Sequence, residues 1–314
     1  MKKGIIFQLS LLFLSLSLLS CEREITVKLP ETEPQIVVEG YIETDTIPIV
    51  ILSKNTPYFS DLDVTKLSRL FLKGAKVTVI NETDHDTVAL QEFTIPSDTF
   101  EFTFYTVPNF FDPNAFSGKI GKTYRLNIEV EGKSLTAVTT IPKPVAIDSI
   151  VFFKVDSLNT LFPPKNRDSL FLMNAYFREP AGEKNYYHYW TSRASTDINT
   201  YSEDSDNSFF YLALLDGKYV SGLYLQGSRL EGDTLPKHAR FFRLGDTINL
   251  KWGAIDEAQY DFWDTYYNNA QGGGPFSPPV IVKSNIKGGI GIWGGLGLHY
   301  YTKMVVKEGG VYRF

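Results

Sequence analysis

"TYRLNIEVEGKSLTAVTTIP", residues 123–142, decides the fold class. Tyr124, Leu126, Ile128 and Val130 recur at every second position, so an extended strand gathers them on one face. Glu131-Gly132 interrupts the alternation, and the run from Lys133 to Pro142 is expected to return beside the first as a hairpin. Outward from this pair, "QIVVEGYIE" (35–43), "IPIVILSK" (47–54), "AKVTVINE" (75–82) and "TFEFTFYTV" (99–107) have the same texture. They are Ile-, Val- and aromatic-rich segments separated by Gly, Pro, Asn and Asp, with no helical period between them. Short strands so punctuated predict an immunoglobulin-like β-sandwich over residues 35–144, a domain of about 110 residues.

"IPKPVAIDSIVF" (141–152) reads as a boundary, because Pro142 and Pro144 cannot continue a central ladder. The expected C-terminal domain, 145–314, is a larger β region crowded with aromatics: "NYYHYW" (185–190), "FFYLALLDGKYV" (209–220) and "ARFFRLGD" (239–246). One segment has a helical period, "AIDEAQYDFWDTYYNNAQGGG" (254–274). Asp256 is the candidate N-cap with Gln259 three residues on, a capping-box arrangement, and Ile255 and Tyr260 are spaced for a hydrophobic staple. Tyr260, Trp263 and Tyr267, and separately Phe262 and Tyr266, recur at helical spacing, and Gly272–Gly274 stops the run. This predicts one amphipathic helix near 256–270, lying over the sheet of the second region with its aromatic side buried. Downstream, Gly288, Gly289, Gly291, Gly294, Gly295 and Gly297 surround Trp293 without phosphate-loop spacing. Their expected role is to bend a strand and admit a close backbone or ring.

The N-terminus carries a different message. Met1-Lys2-Lys3 leads into an apolar run, Ile5–Leu19, of about fifteen residues, the pattern of a secretory signal. It falls short of the about 20 apolar residues that span a bilayer. Its exit, Leu18-Leu19-Ser20-Cys21, resembles the bacterial lipobox. That resemblance implies a signal peptide over 1–20, cleavage between Ser20 and Cys21, and diacylglyceryl and palmitate-type acylation of Cys21, which would then hold the protein to outer-membrane lipid. Residues 21–34, charged and broken by Pro30 and Pro34, suit an extended tether. Removal of 1–20 takes Lys2 and Lys3 and no acid, moving the formal charge from −5 to −7. Such a chain offers no basic footprint for nucleic acid and no polybasic hold on anionic lipid. With Cys21 the only cysteine, no disulfide, thiolate metal site or cysteine nucleophile is expected in the mature body.

Chemistry is sparse. None of the four histidines, His85, His188, His238 and His299, has a partner at metal-ligand spacing. His188 sits in "YYHYW" as a packed or edge histidine, and His85 in "NETDHDTV" as a solvated turn tip. "QGSRLEG" (226–232) lacks the second glycine of a nucleophile elbow. Asp197, Glu203, Asp204 and Asp206 offer hard oxygens of the kind Ca²⁺ takes, but without EF-hand spacing they equally describe a polar loop. No catalytic residue, metal ligand or cofactor is assigned. Aromatics on the helix and near Trp293 are candidates for stacking on a ligand or partner, with core packing as their ordinary use.

"LPETEPQIVVEGYIE", "IVILSKNTPYF", "GAKVTV", "GKTYRLNIEVEGKSLTAVTTIPKPVAIDSI" and "SNIKGGIGIWGG", in this order after the lipobox, resemble the domain-of-unknown-function 4249 lipoproteins of Bacteroidota. Members of that family look like cell-envelope proteins encoded beside TonB-dependent outer-membrane receptors. The resemblance implies a non-enzymatic accessory or binding subunit of such a receptor or another barrel, anchored at the outer membrane. Glu22 and Glu24 after the cysteine resemble surface-export signals, which favours the cell surface over the periplasmic face. Two other readings stand beside it: an envelope hydrolase of glycan or peptide acting through carboxylates that spacing does not identify, and a structural envelope protein. A hydrolase calls for a pocket with two convergent acids, a binding subunit for an exposed aromatic patch.

Overall fold

The hairpin at 123–140 forms as its pattern dictates. Tyr124, Leu126, Ile128 and Val130 are all buried, and the turn residues Glu131 (φ 50°) and Gly132 (φ 72°) both take the left-handed conformation. A two-residue turn with two positive φ values matches the right-handed twist of the strands it joins. The computed structural model describes residues 34–56, 70–96, 101–154, 170–193, 209–212, 219–225, 241–270 and 281–314. Ser20, Cys21, the rest of the expected signal and tether up to residue 33, His238, and the acidic loop with Asp197, Glu203, Asp204 and Asp206 lie outside these residues.

The strands are β1 (Ile36–Glu43), β2 (Ile49–Lys54), β3 (Lys76–Asn81), β4 (Asp86–Pro96), β5 (Glu101–Thr106), β6 (Thr123–Val130), β7 (Lys133–Thr140), β8 (Ile147–Lys154) and β9 (Leu170–Arg178). They continue with β10 (Asn185–Arg193), β11 (Phe209–Leu212), β12 (Tyr219–Leu225), β13 (Phe242–Arg243) and β14 (Thr247–Ile255). After helix α1 (Glu257–Ala270) come β15 (Ile290–Val305) and β16 (Val311–Arg313). The protein is mainly β. The described strands form two sheets, and α1 is the single helix among the described residues.

The larger sheet runs β11-β10-β14-β15-β1-β2-β5-β4-β3-β6-β7, and the smaller β12-β9-β8-β16, with β13 added to β9. The long sheet rolls up at its N-terminal end. The first half of β4 pairs β3 and its second half pairs β5, so the strand passes from one wall to the other. The far strand, β7, then meets the residues leading into β15, where Thr136 and Lys287 exchange backbone hydrogen bonds of 3.1 and 2.8 Å. This continuous path does not by itself reproduce an immunoglobulin-like pair of separate facing sheets. Inside it lies the first core: Ile36, Val38, Ile42, Val50, Leu52, Val77, Val79, Tyr124, Leu126 and Ile128. A second core fills the space between β8–β9 and β10–β14–β15. Phe152, Phe171, Met173 and Phe177 meet Tyr187, Leu250 and Trp252 there, and Trp252 stacks on Tyr187 with centroids 5.1 Å apart.

The change of core falls near the Pro142–Pro144 segment, where the expected domain boundary lies. The sheet nevertheless continues across it, and residues 34–314 are one compact unit. The reason is β15. Its first half, Ile290–Leu296, pairs in parallel with β1, while Gly297–Val305 pairs antiparallel with β14. Trp293 accordingly belongs to the first core, fully buried, with Nε1 donating to the Tyr124 carbonyl at 3.0 Å.

The glycine-dense tail does what its composition suggests. A Cβ on Gly291 (φ 117°) would lie 1.9 Å from the Val38 carbonyl oxygen, and one on Gly297 1.9 Å from that of Pro142. Backbones this close admit only hydrogen. Strand β4 has no counterpart among the sequence segments read as strands, because only Leu90 along it is buried and its alternation is correspondingly faint.

Candidate functional site

Helix α1 begins as its cap residues predict. The Gln259 N–H donates to Asp256 Oδ1 at 2.8 Å, and Ile255 and Tyr260 pack in one cluster with Tyr186, Trp190, Leu296 and Leu298. The other Asp256 oxygen accepts from Thr139 Oγ1 at 2.7 Å. Thr139 Oγ1 in turn accepts the Gly295 N–H at 2.8 Å, so one hydroxyl joins β7, β15 and the helix start. Burial pushes the Asp256 carboxyl above the ordinary range although three donors, Thr139 and the amides of Gln259 and Thr140, act to lower it.

The expected burial of the helix's aromatic side is corrected in one respect. The fully buried side chain is Gln259, and Phe262, Trp263 and Tyr267 are only half-buried while Tyr266 is 47 % exposed. Helix α1 stands over β10, β11 and β15, and the second half of the capping box does not form. Among the described residues both polar atoms of the Gln259 amide lack a hydrogen-bond partner, as does Trp263 Nε1. The amide is wedged instead against the backbone of Gly294, where a Cβ would sit 2.2 Å from Gln259 Nε2.

The half-buried rings line a groove. Strand β1 sends Ile36, Val38 and Ile42 inward and Gln35, Val37, Glu39 and Tyr41 to the opposite face. Against that face stand α1 and residues 281–283, enclosing a cavity of about 570 Å³. Phe262, Trp263, Tyr266, Tyr41 and Ile281 form its walls. Phe262 and Tyr266 stack at 6.0 Å, with Trp263 edge-on to Tyr266 at 5.9 Å. The flank is fastened by Lys283, whose N–H donates to Thr265 Oγ1 at 2.9 Å and whose Nζ meets Asp261 Oδ2 at 2.8 Å.

Glu39 is the one charged residue among the described residues lining the groove. Its carboxylate has no ion-pair or hydrogen-bond partner among the described residues. Although the residue opens to solvent, desolvation by the surrounding walls raises its carboxyl pKa. Along the same face of β1, Glu43 by contrast is matched by Lys251, whose ammonium also lies 4.6 Å from the centre of the Trp190 ring.

A second surface lies on the rolled end of the sheet. On β5, Thr103 and Tyr105 are buried while Phe102 and Phe104 point outward, the reverse of the ordinary placement of strand aromatics inside. Phe71, Phe102, Phe104, Phe93, Phe110 and Phe111 follow one another as a ladder of ring contacts, with successive centroids 5.2, 5.9, 5.8, 5.4 and 4.3 Å apart. Phe111 is 89 % exposed, and Ile95, opposite Phe102 on the neighbouring strand, is 55 % exposed. The ion pair Lys73–Glu101 at 2.6 Å lies at its edge. The signal for this ladder was in the Phe102/Phe104 alternation, but periodicity alone does not say which face is the inner one.

Other described titratable groups sit in packed or solvated settings. His188 is fully buried, stacked on Trp190 at 4.0 Å and edge-on to Trp263 at 5.6 Å. Burial, aided by the Lys251 charge, lowers its pKa to about 3, so it is a neutral packed ring at physiological pH, as its aromatic context suggests. His85 occupies the exposed tip of the 82–85 turn with φ 60°. His299 is half-buried and its pKa lowered by desolvation, against a hydrogen bond with the Pro144 backbone. Glu179, wholly buried, accepts hydrogen bonds from Tyr187 Oη and, at 2.8 Å, from Asn185 Nδ2. Among the described residues no group of three or more His, Cys, Asp or Glu could hold a metal ion, and no helix is long and apolar enough to cross a membrane.

The family described as a domain of unknown function, DUF4249, matches residues 22–297. No curated protein matches the chain.

Proposed function

The chain belongs to the DUF4249 family, and from that premise we propose that it is a lipid-anchored envelope protein. In this reading it is a non-enzymatic accessory subunit of an outer-membrane, TonB-dependent transporter or a similar barrel. The observation that carries the reading is the phenylalanine ladder on β4 and β5. Phe71, Phe93, Phe102 and Phe104 are half-exposed and lead to the exposed Phe110 and Phe111, and apolar patches edged by polar groups mark contact surfaces. Phe110 and Phe111 supply large apolar area with few rotatable bonds, the composition of interface anchors. Anchoring through Cys21, as the Leu18-Leu19-Ser20-Cys21 exit implies, would confine the protein to the plane of its partner. Tethering of this kind raises effective concentration, so a weak contact suffices. The groove between β1 and α1 then serves as a separate place for a ligand. Among its described lining residues it presents one carboxylate, Glu39.

Crosslinking in intact outer membranes followed by pull-down of the acylated chain tests the proposal. Recovery of a barrel in stoichiometric amount is expected, with loss of membrane retention for Cys21→Ala and loss of the barrel for the Phe104→Ser, Phe111→Ser double variant. Recovery of the membrane-bound protein alone, or undiminished barrel recovery by the double variant, would overturn it.

A further inference from the structure

We propose that the groove between β1 and α1 binds a small organic cation, a substituted ammonium carried on an apolar body, with Glu39 as its counter-charge. The inference extends the binding reading above to a second surface and names the chemistry of its ligand. Three features of the groove lead to it. Its walls are aromatic: Tyr41, Phe262, Trp263 and Tyr266 stand around one space, and the faces of such rings carry the negative part of a quadrupole that attracts cations. Among the described residues that line it, the single charge is negative and there is no lysine or arginine. Glu39 has no partner among the described residues, although Glu43 two pleats along the same face has Lys251.

An unpaired carboxylate held against apolar walls is an unfavourable arrangement that a cation relieves. A neutral ligand would leave it, and an anion would worsen it. Size points to a small molecule, since about 570 Å³ lies within the range of ligand cavities and below the footprint of a protein interface. At the fastened flank the Lys283 ammonium is committed to Asp261, so it does not neutralise Glu39 from the rim.

The test uses calorimetric titration of the full acylated chain in detergent with three ring probes: benzyltrimethylammonium, benzyl alcohol and benzoate. The cation should bind about ten-fold more tightly than the alcohol, the scale of a partly desolvated cation–aromatic and ion-pair contact, and benzoate most weakly. Glu39→Gln, nearly isosteric at an open position, should bring the cation down to the level of the alcohol. Tyr266→Ala should weaken both. Equal affinity for cation and alcohol in the parent protein overturns the assignment of charge while leaving an apolar ligand groove. Failure of all three probes to bind overturns the groove as a ligand site, without touching the transporter contact, which the pull-down reads through the phenylalanine ladder.

Discussion

Replacing Thr139 with valine removes one hydroxyl and almost no volume, and the structure predicts a large loss for so small a change. Thr139 is 2 % exposed. Its Oγ1 donates to Asp256 Oδ2 at 2.7 Å and accepts the Gly295 N–H at 2.8 Å. In the valine variant Gly295 keeps a buried amide with no acceptor, a penalty of about 1–3 kcal/mol, and Asp256 loses a charge-assisted bond of about 1.5–3 kcal/mol. Because no cavity opens to add or relieve strain, the expected destabilisation is about 3–5 kcal/mol. Thr139→Ser keeps the hydroxyl and sheds a methyl, for about 1 kcal/mol. Urea unfolding followed by tryptophan fluorescence, with midpoints and slopes compared at pH 8, separates the two. The Asp256 carboxyl is already raised by burial, so its folded form favours the proton and this stability is present at low pH and lost as pH rises through its folded pKa. Loss of the Thr139 donor raises it further, and the valine deficit should therefore shrink at pH 4. A valine variant within 1 kcal/mol of the serine variant at pH 8 would refute the three-way clamp.

Other consequences follow from single groups. Glu39→Gln should unfold at higher urea than the parent at pH 7.5. The folded-state pKa of Glu39 is raised by desolvation, so the parent's carboxylate opposes folding there, and the gain should vanish near pH 4. His188, depressed to about 3, stays neutral when folded and takes a proton only when unfolded. Its contribution is intact above pH 6.5 and falls by up to about 1.4 kcal/mol per pH unit below it. The ring's NMR signals should stay still from pH 8 to 5, and titration near 6.5 would count against its burial. Gly291→Ala should prevent recovery of folded protein, because the new Cβ meets the Val38 oxygen at 1.9 Å. Gly121→Ala, also at positive φ but with open space, should cost only about 1–2 kcal/mol.

Much of the local structure could be read along the chain because its causes are local. Alternation at 124–130, the Glu131-Gly132 turn and the Asp256 cap involve residues within a few positions of one another, and each forms as its pattern implies. The tail glycines announced close approach without saying to what. The groove was not legible, since Glu39 and Tyr41 lie more than 200 positions from Phe262, Trp263 and Tyr266. Nothing in "IVVEGYIE" indicates that its polar face will be walled by a helix. The phenylalanine ladder was hidden for a different reason: period two identifies a pair of faces, and the choice between them is made by tertiary packing, here of Thr103 and Tyr105 inward. Gln259 shows the same limit, because spacing assigned it a capping partner while packing against Gly294 turned its amide away.

The parallel pairing of β1 with β15 also sets an order of events. The chain is made N-terminus first, so β1 is available about 250 residues ahead of the strand that covers its edge. Until Trp293 arrives, the first core lacks a ring that its own region does not encode. Contacts so remote along the chain close slowly, and an uncovered edge strand invites pairing with other chains. On the proposed envelope reading, the protein should accordingly depend on a holding chaperone until β15 is in place, with that strand acting as the last latch. Chains cut short before residue 290 would keep the β1 edge uncovered, and so expose incomplete synthesis to proteolysis.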